Sequence, residues 1–155
     1  MRTIALLAIT FATISGTVQP TVADPLDDAI KARQSHMQLV SFNAGPLFSM
    51  AKGERDYDPN KAQISANNLK ALASMSTDAM WPSGSDNVAK KGKTRALPTI
   101  WEAGSEMGKD WTSWRTAVDD LAASAGDGLD SLKAKVAAMG KTCGTCHKAH
   151  RAKDF

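Results

Sequence analysis

The stretch "LDSLKAKVAAMGKTCGTCHKAHR", residues 129–151, places Leu129, Leu132, Val136, Met139, Cys143, Cys146 and His150 on one line. The steps are three and four throughout, the period of a helix with one buried face. Both cysteines of the chain fall on that face, and His147 directly follows the second. At about 100° per residue, Cys143, Cys146 and His147 share one side of the predicted helix.

Three more segments upstream carry the same period. The first opens at Asp24-Pro25, an N-cap followed by a proline whose missing N–H costs nothing there. Its stripe is Leu26, Ile30, Arg33, Met37, Val40, Ala44, Leu47 and Ala51; Gly53 is placed to stop it, and Pro46 is expected to kink it. The second repeats the device at Asp58-Pro59 and runs through Ala62, Ala66, Leu69, Leu72 and Ala73 to about Ser76. The third carries Met107, Trp111, Trp114, Val118, Leu121 and Ala125 before Gly126. Short connections at 53–58 and 126–128 favour antiparallel neighbours, so the architecture is all-α, a single four-helix bundle. The connection 77–104, with "WPSGSDN", "KKGKTR" and "LPTIW", is long enough to cross the bundle or perform a task.

The first 23 residues, "MRTIALLAITFATISGTVQPTVA", read as a cleaved secretory signal: one cation, an apolar run, then small residues at Thr21 and Ala23. The mature domain is then 24–155, expected in the periplasm. The whole chain has a formal net charge of +3, of which Arg2 in the leader supplies one. That near-neutral balance leaves no nucleic-acid footprint.

In this setting C-x-x-C-H is the attachment pattern of c-type haem, one covalent group per chain, with the neighbouring imidazole offered to the iron. Three rival readings stand beside it. A structural zinc site needs four ligands, so His150 and the remote His36 would have to join the cysteines. A redox C-x-x-C belongs at the start of a helix in a β-α-β context. Two ordinary core cysteines would leave the abutting histidine unexplained.

With "CGTCHKAHR" on the last helix, "IKARQSHM" on the first, "MAKGE" at its end and "LPTIW" before the third, the mature chain resembles the cytochrome c' family, the class II c-type cytochromes. That resemblance implies a left-handed antiparallel bundle with haem c bound by thioethers to Cys143 and Cys146, and His147 as axial ligand. It also implies Met37 at the facing position, Arg33 near a haem propionate, and a homodimer through helices one and two. Arg151, one turn after His147, is placed either to favour reduced iron or to offset the helix dipole.

Met37 divides the function. If its thioether ligates the iron, the protein carries single electrons between redox partner proteins, with no catalytic turnover of its own. If Met37 is core filler, a five-coordinate haem binds nitric oxide or carbon monoxide. His36 points about 100° off the stripe and is expected to be exposed or at the haem edge. His150 is expected to be a partly exposed end residue. Trp111 and Trp114 are expected in the core, and Trp81 and Trp101 over the haem or the bundle end. The basic run 90–95 is read as a solvated loop or a docking patch for an acidic partner.

Overall fold

In a computed structural model, which describes residues 24–155, the two Asp-Pro pairs open the first two helices. The residues read as a secretory leader lie outside that range. Asp24 accepts the Leu26 amide at 2.9 Å and Asp58 accepts the Lys61 amide at 3.0 Å. Each cap satisfies an amide the helix cannot, worth about 1 kcal/mol.

Helix α1 spans Pro25–Lys52, α2 Pro59–Ser74, α3 Met107–Ala122 and α4 Leu129–His150. Gly53 ends α1 in the left-handed region at φ 75, its N–H donating to Met50. Pro46 does not break α1, which continues through it as one 28-residue helix. The proline offers no N–H to the Phe42 carbonyl, and Phe42 itself is exposed. Helix α3 ends at Ala122, and turns occupy the residues up to Gly126.

Hydrogen bonds and ion pairs between the helices fix the direction of each neighbour. Between α1 and α2, His36 meets Leu72 and Asn43 meets Asn68, so one chain rises as the other falls. Gln63 with Ala122 and Lys70 with Asp119 do the same for α2 and α3. Asp110 with His150 and Asp120 with Lys135 complete the ring through α3 and α4. On α4, Gly140 lets the Phe48 ring of α1 approach; a Cβ there would lie 3.1 Å from its Cε1. The result is an antiparallel four-helix bundle without strands among the described residues. None of the described helices is long and apolar enough to cross a membrane.

The fully buried core gathers toward one end, around Leu47, Met50, Leu69, Leu121, Leu132 and Met139. The other end receives the long connection, which holds two 3₁₀ turns, Asp78–Met80 and Pro98–Trp101. Trp101 Nε1 donates to the Trp81 carbonyl at 2.9 Å, and the two indoles lie tilted with centroids 6.3 Å apart.

The basic run is not a free patch. Lys90 binds Asp24 and Asp27, Lys93 binds Asp27, and Arg95 donates to the Lys153 carbonyl. Three of its four cations, Lys90, Lys93 and Arg95, tie the connection to the start of α1 and to the C-terminus, through partners far away in sequence. The lysine hydrogen bonds hold the Asp24 and Asp27 carboxyls below their ordinary value of 3.8. The stability these carboxylates contribute is therefore complete above that value and is lost as pH falls through their lower folded values. Lys90→Met is expected to make helix loss on acidification below about pH 4 less steep, followed by circular dichroism. Superimposable acid profiles for the two proteins would contradict this pairing.

Candidate functional site

Burial along the helices is interrupted at one level. On α1, Ile30 and Arg33 are buried, Met37 and Val40 only half-buried, and Ala44 and Leu47 buried again. On α4, Val136 and Met139 are buried, Cys143, Cys146 and His147 half-buried, and His150 buried. On α3, Met107 and Trp111 are half-buried and Trp114 is buried. The antiparallel arrangement brings these interruptions to the same end of the bundle. Apolar and ligating side chains that should lie inside a seam remain half-covered there, flanked on α1 and α4 by full burial.

The chemistry of the donors suits a covalently held haem. Cys143 and Cys146 are free thiols on one face of α4. Burial raises both, and Cys146, with the Asp110 and Cys143 charges adding, is pushed up to about 11. A redox-active C-x-x-C needs the opposite, a thiol lowered toward thiolate. His147 is held below its ordinary value by burial first, then by the Arg151 and Arg95 cations. Its neutral imidazole therefore persists into mildly acidic solution with a lone pair for a metal.

A closed zinc site does not form around the pair. Asp110, Cys146 and His150 bring one ligand atom each within 4.8 Å of the others, but Cys143 and His36 are not in the group. Four protein ligands are the rule for structural zinc, and these are three.

Two histidines sit differently from expectation. His36 is only 4 % exposed; its Nε2 lies 3.0 Å from the Leu72 carbonyl, so that nitrogen carries the proton and donates. Its ring lies 6.0 Å from Trp111. Pointing off the α1 stripe turns it toward α2, which packs on that side, rather than to solvent. His150 is 7 % exposed, with Nε2 3.0 Å from Asp110 Oδ2. The connection covers it: the Leu97 amide donates to its carbonyl, and Ala96 bridges Arg151.

Arg33 does not reach solvent either. At 4 % exposure it donates from Nη1 to the Met80 carbonyl and Ser85 Oγ, and from Nη2 to the Ser85 carbonyl and Thr94 Oγ1. Its guanidinium lies 4.7 Å from the centre of the Trp81 ring. Arg151 is exposed at the end of α4, its amide bonded to the His147 carbonyl. Asp110, Ser85 and Thr94 were not singled out from sequence; their partners lie 40, 52 and 61 residues away.

The Cytochrome C' family profile matches residues 28–151. Cytochrome c-554 of Cereibacter sphaeroides is 34% identical over 154 residues, covering 99% of this chain and 100% of that protein. Among solved structures, cytochrome c' from Rhodobacter Spheriodes superimposes with a TM-score of 0.81 at 33% identity, covering 84% of this chain and 99% of the other. A nitric oxide complex of a variant of cytochrome c prime from Alcaligenes xylosoxidans gives a TM-score of 0.71 at 28% identity, over 86% and 100% of the two chains.

Proposed function

From the premise that this chain belongs to the cytochrome c' family and carries one covalent haem c, we propose that it is an exported single-electron carrier. Cys143 and Cys146 would hold the haem through thioethers, and His147 and Met37 would bind its iron. The observation that carries this reading is the matched interruption of burial, Met37 on α1 and Cys143, Cys146 and His147 on α4. The haem supplies an iron that accepts and returns one electron.

The chain's own residues tune that exchange. Cys143 and Cys146 would hold the haem covalently, each through one carbon–sulfur bond. His147, favoured as neutral imidazole, offers its lone pair without first losing a proton. The thioether of Met37 favours the reduced state. The Arg151 and Arg95 cations that act on His147 favour it too, because a nearby positive charge stabilises the less charged iron. Removal of residues 1–23 in the periplasm completes the reading, since thioether attachment is performed outside the cytoplasm.

Binding of nitric oxide or carbon monoxide is the second reading. It is favoured by the half-exposure of Met37 and by the nitric oxide complex of the Alcaligenes relative. An optical spectrum of both oxidation states, with Met37→Ala beside it, separates the two. Low-spin bands and a near-infrared iron–sulfur band that the substitution abolishes are expected. A high-spin spectrum indifferent to the substitution, with ready carbon monoxide binding, would transfer the function to gas binding.

A second copy of the chain is the partner proposed for the α1–α2 face, where Leu39, Phe42 (77 % exposed) and Ile64 stand in solvent. Sedimentation should find a dimer that Phe42→Glu converts to monomer. A monomer before the substitution would remove this assignment.

A further inference from the structure

We propose that the segment Thr94–Leu97 is a brace that sets the spacing between the Met37 turn of α1 and the His147 turn of α4. The proposal rests on the axial-ligand reading above but is carried by contacts that the reading does not use. At one end of the segment, Thr94 Oγ1 accepts from Arg33 Nη2 at 2.9 Å, and Arg33 lies one helical turn before Met37. At the other end, the Leu97 amide donates to the His150 carbonyl at 3.0 Å, and His150 lies one turn after His147. The Ala152 amide adds a bond of 2.8 Å to the Arg95 carbonyl, and Ala96 bridges Arg151. Between the two ends, the Ala96 amide donates to the same Thr94 hydroxyl that Arg33 binds.

The brace is short. Three residue steps from Thr94 to Leu97 span at most about 10 Å, and packed helices stand about 8–10 Å apart. The segment therefore has little slack, and α1 cannot move from α4 at this level without breaking a bond at one end. Both anchors are themselves fixed. Arg33 uses all four terminal N–H groups on the connection, where Ser85 is fully buried and Thr94 nearly so. His150 is held by Asp110 on α3. The planar fork of the guanidinium reaches four acceptors at once, which an ammonium cannot do. Arg33 thus acquires a positioning role distinct from the propionate contact that the family resemblance implies.

The test uses the haem-loaded protein and the variants Thr94→Val, Thr94→Ser and Arg33→Lys. Amide hydrogen exchange at Leu97 and Ala152 and the association rate of carbon monoxide are measured for each. Thr94→Val and Arg33→Lys are expected to raise both by about tenfold, and Thr94→Ser, which keeps the hydroxyl, to leave both near the parent values. Faster exchange confined to residues 80–94, or faster exchange at Leu97 and Ala152 with an unchanged carbon monoxide rate, would overturn the brace. The two proposals fail separately: Met37→Ala decides the sixth ligand, whereas the paired exchange and association rates decide the brace.

Discussion

The apolar seam between four antiparallel helices closes completely around Leu47, Leu69, Leu121 and Leu132 and only half-closes around Met37, Trp111, Cys143 and His147. Everything else in the structure is arranged about that change. A seam of four-and-three spacing that packs at one end would ordinarily pack along its length, since each half-covered side chain forgoes hydrophobic stabilisation. Here the half-covered positions include two thiols, an imidazole and a thioether beside the apolar Val40 and Trp111. Their chemistry and their burial point to the same occupant.

The end of the bundle that holds these residues is also where the long connection crosses. Polar contacts bind it to both flanking helices: Arg33 and the Asp24–Asp27 carboxylates on α1, and the backbone of His150 and Ala152 at the end of α4. A segment of this length without such contacts would be expected to move freely. Instead it links α1 and α4, and it buries an arginine to do so. Burying a guanidinium is costly unless its donors are satisfied, and four acceptors on the connection take its four terminal N–H groups.

What was legible in the sequence was the local part of this structure. Asp24-Pro25, Asp58-Pro59 and Gly53 define helix ends through bonds spanning a few residues, and the stripes of α1 and α4 are periodic along one chain. The shared face of Cys143, Cys146 and His147 is legible for the same reason, since helix geometry alone sets it. The misplacements involve long-range partners. His36 was expected at an edge because α2 could not be seen beside it, and His150 was expected to be partly exposed because nothing in its own helix announces Asp110 or Leu97. The basic run 90–95 looked free for the same reason, its carboxylate partners lying at the start of α1. Pro46 lies inside α1 without ending it.

Arg33 illustrates both sides. Its place in an apolar stripe marked it as unusual from sequence alone, but its acceptors, spread over residues 80–94, appear only once the connection has folded back. The account as a whole stands on covalent attachment at Cys143 and Cys146 beside His147, and intact-mass and peptide mass spectrometry of the exported protein tests that most directly. The predicted result is the polypeptide plus the mass of one haem, retained after acid–acetone extraction on a peptide containing Cys143, Cys146 and His147. A chain of bare mass, or pigment released by the extraction, would contradict it.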